Sequence, residues 1–200
     1  MDADKAETIA NILYNFNLKI SSLQQGSRRS NIEIAIACLD IGLTIFTCEA
    51  DSEKWAMFHI CLGIAYYSRI KGDRGDNLER TILFFEAALE VYTREAFPQD
   101  WAGTQNNLGE AYRNRIKGDR GENIEKTIAF YETALQVYTR PTFPEYWAMT
   151  QNNLALAYSQ RIKGDRGDNL ERAIAFYEAA LQVRTREAFP QDWAGTQNNL

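Results

Sequence analysis

Long apolar runs are missing from this sequence, and cysteine and histidine are scarce. No stretch approaches the roughly 20 apolar residues that cross a bilayer, and the acidic start at residues 1–4 is unlike a secretory signal. The three cysteines form no CxxC pair, so they indicate small core thiols in a reducing compartment. We therefore expect a cytoplasmic protein that has no membrane partner and no cofactor.

Positive charge is also in short supply. The 22 Lys and Arg residues are outnumbered by 27 Asp and Glu residues, and no long basic run is present. Because nucleic-acid binding depends on clustered Lys and Arg that neutralise phosphates, the composition disfavours RNA or DNA as the partner. A P-loop, a GxGxxG loop and an HExxH motif are absent, and the only histidine, His59, has no nucleophile at a recognisable spacing. We expect no metal site and no enzyme activity in this chain.

An internal repeat dominates what is present. Tryptophan recurs every 46 residues, at Trp55, Trp101, Trp147 and Trp193. Such a fixed period is the signature of stacked structural repeats. The loop Arg-Ile-Lys-Gly-Asp-Arg-Gly recurs with the same period at 69–75, 115–121 and 161–167. The sequence therefore predicts three complete units, at 55–100, 101–146 and 147–192, and the start of another at 193–200.

Each unit is predicted to contain two helices. The first begins at the Phe97-Pro98 pair, because proline suits the first helical turn, and it runs to about Ile116. The second begins near Asn123, which is taken as its N-cap. Apolar residues of this helix recur at spacings of three and four, at Ile124, Ile128, Tyr131, Ala134, Leu135 and Tyr138. No strand-like alternation is present, so the fold class is all-α.

The motif within each unit resembles the tetratricopeptide repeat, whose pattern is W-x2-L-G-x2-Y, then A-x3-F, over 34 residues. The middle unit has Gln105-x2-Leu108-Gly109-x2-Tyr112, followed by Thr127-x3-Tyr131. The longer period predicts longer helices joined by short loops, similar to the repeats of kinesin light chains and of bacterial proteins with a CHAT protease domain. The resemblance implies a right-handed α–α superhelix of antiparallel helix pairs.

The two ends of the chain depart from the repeat. Residues 1–54 match it only weakly, since Phe16, Asn17 and Ile20 replace the Leu-Gly-Tyr signature, and we interpret them as a degenerate capping unit. The other end falls inside a first helix, at Leu200, so we expect a fragment of a longer protein. We also expect self-association through this C-terminal face, since an uncapped repeat exposes apolar surface.

The resemblance implies that first helices line a concave groove. Asn107, Asn153 and Asn199 recur once per unit, each before the leucine of the signature. Two readings stay open: these amides bind the backbone of a partner peptide, or they only fix the packing between units. The candidate groove residues are Ile64, Tyr67, Asn106, Asn107, Glu110, Arg113, Met149, Asn152, Asn153, Leu156 and Asn199.

These residues favour a scaffold whose groove binds a peptide or a helix of a partner protein. The alternative is a regulatory region of a larger enzyme, a CHAT-type protease, whose catalytic domain lies outside this chain. The tripeptide Arg-Gly-Asp occurs twice in the repeated loops, but the middle loop has Glu122 in place of the aspartate. We therefore expect these loops to supply turn chemistry, with Asp and Arg pairing between neighbouring loops, rather than to bind a receptor.

Overall fold

The computed structural model describes residues 27–200 together with residues 5, 8, 9, 11, 12, 14, 15 and 19. This part of the chain contains eight helices with defined bounds and no strand, which confirms the all-α prediction. Phe16, Asn17 and Ile20 of the predicted cap lie outside the described residues. Two compact units divide the chain, Met1–Thr93 and Arg94–Leu200, and each is considered by itself.

The first compact unit contains three described helices: α1 at Arg28–Ile45, α2 at Ser52–Ser68 and α3 at Arg74–Ala88. Helix α2 packs against both of the others. Its buried face includes Phe58, whose ring lies so close to Gly42 that a Cβ there would be 2.0 Å from it. Glycine at this position therefore sets the approach of α1 to α2.

The second compact unit contains the other five: α4 at Pro98–Asn114, α5 at Arg120–Ala134, α6 at Pro144–Ser159, α7 at Arg166–Leu181 and α8 at Pro190–Asn199. Each helix packs against the next, and α4 also contacts α6. Packing between successive helices, with first helices in contact, is the arrangement of a helical-repeat solenoid. Apolar burial holds it together: Ile124, Tyr131 and Leu154 share one core, and each such side chain contributes about 1.5–3 kcal/mol.

The first helices begin as the sequence predicts. Helices α4, α6 and α8 each have a phenylalanine at the N-cap and a proline at the first position. The predicted N-cap of α5 is wrong. Asp119 caps the helix by accepting a hydrogen bond from the Glu122 backbone N–H at 2.8 Å, and Asn123 is buried in the first turn.

The repeated loop is held by its own polar groups. Gly118 has a φ of 79°, a left-handed conformation that glycine adopts without strain. Asn123 donates to the Lys117 carbonyl at 2.9 Å, and the Arg120 guanidinium donates to the Arg113 carbonyl. The Asp119 carboxylate caps α5, and the Arg120 guanidinium also donates to the Gln160 side-chain oxygen of the next repeat at 2.9 Å. The expected Asp–Arg pairing between neighbouring loops stays a prediction. The connection at residues 135–143 is a series of turns, longer than the short loop we expected.

The helices and the cysteines of the described residues can be compared with the expected cellular environment. No helix in the described part of the chain is both long and apolar enough to cross a membrane. All three cysteines are free thiols; Cys38 and Cys61 are partly buried, as expected for core residues, but Cys48 is exposed.

Candidate functional site

The paired asparagines of the first helices have different environments. Asn106 is buried, and its side-chain nitrogen donates to the Thr150 hydroxyl of α6. That hydroxyl gives its single hydrogen to the Tyr146 carbonyl at 2.8 Å, which leaves a lone pair to accept from Asn106. Asn106 therefore joins two successive first helices and does not lie on an open groove.

The equivalent side chains also meet one repeat later. The Thr196 hydroxyl lies 3.1 Å from the Asn152 side-chain oxygen and 2.8 Å from the Asp192 carbonyl, and its single hydrogen donates to one of these two acceptors. Asn152 is half-buried. Two of the candidate groove residues, Asn106 and Asn152, thus have a packing role, one of the two readings that the sequence left open for the neighbouring asparagines.

Asn107 and Asn153 follow these residues and lie on a different face. Successive helical residues are about 100° apart around the axis, so an amide next to a buried one turns away from the interface between helices. Both are half-exposed, and Asn199 of α8 is exposed. No hydrogen bond from the Asn107 or Asn153 side chain is found within the described residues. These amides are at least partly accessible to solvent.

A polar cluster follows Asn107 along α4. Arg113 donates twice to the Glu110 carboxylate, at 3.0 and 2.6 Å, and Asn114 donates to it at 2.8 Å. The buried Tyr131 hydroxyl donates to the same carboxylate at 3.2 Å. Burial, followed by the charge of Glu110, raises the pKa of Tyr131, which keeps this hydroxyl a donor. The cluster is pre-organised and its acid is balanced by arginine.

The corresponding face of α6 is apolar. Met149 and Leu156 are half-exposed on either side of Asn153. In the first compact unit, Ile64 is exposed and Tyr67 is half-buried beneath the guanidinium of Arg74, 5.0 Å from the ring centre. Within the second unit, the stripe formed by Asn107, Glu110 and Arg113 on α4 is therefore polar, and that of α6 presents an amide between two apolar side chains.

A cleft of about 280 Å³ opens beside Met149. This cleft was not predicted from the sequence. The repeat did contain a signal: position 184 is arginine, whereas the earlier units have Tyr92 and Tyr138 there. The lining residues are Glu145, Tyr146, Met149, Val183, Arg184, Phe189 and Asp192.

The histidine and the nearby thiol have packing environments. The His59 ring lies between Trp55 and Phe84, at centroid distances of 4.0 and 5.8 Å, and its Nδ1 is 2.8 Å from the Trp55 carbonyl oxygen. Burial lowers the pKa of His59 and raises the pKa of the Cys61 thiol to about 11. Both groups are thus favoured in their neutral forms at neutral pH. Among the residues that the structure describes, no cluster of metal-ligating side chains is found.

Comparison with protein-family models and with curated proteins finds no match to this chain.

Proposed function

We propose that this chain is a protein-interaction module of the tetratricopeptide type, whose first helices bind an extended segment of a partner protein. One observation carries the proposal: of the two adjacent asparagines in α4 and in α6, one contacts the next repeat and the other faces outward. Asn106 and Asn152 occupy the packing role through Thr150 and Thr196. The regular packing of the repeats is therefore explained without Asn107 and Asn153.

The outward amides suit a polypeptide backbone. A primary amide both donates and accepts, so it can pair with the N–H and the carbonyl of one peptide unit. Asn107 and Asn153 lie on α4 and α6, and Asn199 occupies the equivalent place on α8. A segment that crosses these helices would meet one amide per repeat.

The flanking side chains would then select the partner sequence. Met149 and Leu156 suit an apolar side chain, since buried apolar anchors contribute most of the energy of an interface. The Glu110–Arg113 pair suits a polar residue one repeat away. We infer a binding rather than a catalytic role, in a reducing cytoplasmic compartment that suits the three free thiols.

Selection from a random-peptide library displayed on phage tests this proposal without knowledge of the natural partner. A peptide recovered with the chain is expected to lose at least tenfold in affinity, by fluorescence anisotropy, for the double variant Asn107→Ala/Asn153→Ala. The control is Gln136→Ala, which removes an exposed amide after α5. Failure to select any peptide, or equal affinity for all three proteins, would refute the proposal.

A further inference from the structure

The cleft beside Met149 arises at a position where the repeat changes residue. The Tyr138 ring stacks on Tyr146 at a centroid distance of 4.9 Å, and its hydroxyl donates to the Gln99 carbonyl at 3.1 Å. The ring is fully buried. One repeat later the residue is Arg184. A flexible stem with a flat guanidinium does not fill the space of a phenol ring, so a cleft remains between α6, the connection 182–189 and α8.

Arg184 is half-buried and weakly paired. Its side chain is 14% exposed, and one guanidinium nitrogen donates to Thr196 Oγ1 at 3.3 Å. The facing carboxylate of Asp192 is 3.9 Å away and 56% exposed, beyond the range of a direct hydrogen bond. Burial lowers the pKa of Arg184, and the charge of Asp192 acts in the opposite direction. An additional anion within reach of the guanidinium would act in the same direction as Asp192.

The charges around the cleft favour an anionic ligand over a cationic one. Glu145 and Asp192 are both exposed, so water and salt screen them. The Arg184 guanidinium is less accessible to water. Where water is excluded, charges interact more strongly over the same distance. A guanidinium also offers a carboxylate two N–H donors in one plane, so the two groups can form a bidentate, charge-assisted pair. Arg184 therefore dominates the interior of the cleft, and the two acids border its opening.

The other walls require an apolar body on the ligand. Met149, Phe189 and the Tyr146 ring surround the guanidinium with apolar surface. Met149 also belongs to the apolar face of α6, four residues before Asn153. The cleft thus continues the surface on which the partner segment is proposed to lie, and an internal residue of that segment would enter it.

We propose that this cleft binds an acidic side chain of the partner, next to an apolar residue, with the carboxylate paired to Arg184 and the apolar group packed on Met149 and Phe189. This deepens the proposed function, because it adds an acidic–apolar pair to the sequence that the groove selects. The pair is recognised at one repeat only, since the earlier repeats fill this position with tyrosine.

The test uses small probes and the whole chain. The acidic probe is the dipeptide N-acetyl-Phe-Glu-amide, the uncharged probe is N-acetyl-Phe-Gln-amide, and the cationic probe is N-acetyl-Phe-Lys-amide. Binding is followed by two-dimensional ¹H–¹⁵N NMR at the backbone amides of residues 145–149 and 183–192. We expect saturable shifts at millimolar concentration with the glutamate dipeptide, and affinity at least fivefold lower for the other two. A preference for the lysine dipeptide, equal binding of all three, or no saturable shift would overturn the proposal.

Two variants and a control connect the signal to the guanidinium. Arg184→Gln is expected to lower the affinity for the acidic probe at least fivefold, whereas the control Arg186→Gln, at an exposed arginine two residues later, leaves it unchanged. Arg184→Tyr restores the residue of the earlier repeats and is expected to fold and to abolish binding. Retained binding in both Arg184 variants would contradict the assignment.

A further probe separates a side-chain carboxylate from a chain terminus. N-acetyl-phenylalanine carries only a terminal carboxylate, and we expect it to bind more weakly than the glutamate dipeptide; stronger binding would overturn the side-chain assignment. These titrations need no partner protein. Their failure would leave the asparagine test of the groove unaffected, and failure of the asparagine test would leave the cleft result unaffected.

Discussion

Removing the Thr150 hydroxyl is the most direct test of the packing role given to Asn106. Thr150→Val keeps the volume of the side chain but deletes the acceptor of the Asn106 amide, and both residues are buried. A buried donor left without a partner costs about 1–3 kcal/mol. The bond from Thr150 to the Tyr146 carbonyl is lost too. We therefore expect Thr150→Val to lower the free energy of unfolding by about 1–3 kcal/mol.

Changing the other partner, Asn106, is expected to have little effect on the free energy of unfolding. Asn106→Leu removes the amide and leaves the Thr150 hydroxyl satisfied by the Tyr146 carbonyl. It also removes the Asn106 side-chain oxygen, a buried acceptor that has no hydrogen-bond partner among the described residues. Replacing both partners by apolar groups of similar shape is often close to neutral. The double variant should therefore be more stable than Thr150→Val alone, with a coupling energy of about 0.5–3 kcal/mol.

Urea denaturation followed by tryptophan fluorescence measures this cycle. With a slope of about 2 kcal/mol/M, the loss in Thr150→Val corresponds to a midpoint lower by roughly 0.5–1.5 M. Thr127→Val is the control, because its buried hydroxyl donates within its own helix, to the Asn123 carbonyl at 2.9 Å. Additive effects in the double variant, or equal losses for Thr127→Val and Thr150→Val, would refute the role given to Asn106.

Two other predictions follow from single contacts. Asp119→Ala removes the N-cap of α5 and is expected to cost about 0.5–2 kcal/mol, which thermal denaturation would detect; an unchanged midpoint would contradict the cap. The Glu125 carboxylate accepts hydrogen bonds from two guanidinium nitrogens of Arg161. These hydrogen bonds lower the pKa of the Glu125 carboxylate from its ordinary value of 4.5. The pair's stabilisation, about 0–1 kcal/mol, is therefore present above pH 4.5 and lost as pH falls through the lower folded value. Urea titrations of Glu125→Gln should differ from the native chain at pH 7 and converge in acid, whereas a difference independent of pH would contradict it.

The regular parts of the fold could be predicted from the sequence because the repeat defines them several times over. The Phe-Pro pairs and the spacing of Leu108 and Tyr112 correctly predicted a helix start and two buried residues. The cap of α5 could not be decided in this way. Asp119 and Asn123 are both good N-cap residues four positions apart, and the choice depends on Asn123 turning inward to bond the Lys117 carbonyl.

The site was predicted less well, because neighbouring positions on one helix have similar sequence patterns. Asn106 and Asn107 are chemically identical, and only the contact between α4 and α6 shows which of them is buried. One signal was present in the sequence: a threonine recurs at 104, 150 and 196, and the last two follow Asn106 and Asn152 by 44 residues each. A buried hydroxyl at a fixed repeat position requires a polar neighbour.

Variation between the repeats is confined by the contacts that each unit needs to fold. The aspartate cap, the inward asparagine and the arginine on the preceding carbonyl recur together in α5 and α7, so they satisfy each loop without help from the outward face of the first helix. That face is then free to change, and position 110 is glutamate in one unit where position 156 is leucine in the next. Arg184 departs from this rule, since it replaces a buried residue and leaves a guanidinium with incomplete compensation. The proposed binding of an acidic side chain in the resulting cleft would compensate this guanidinium.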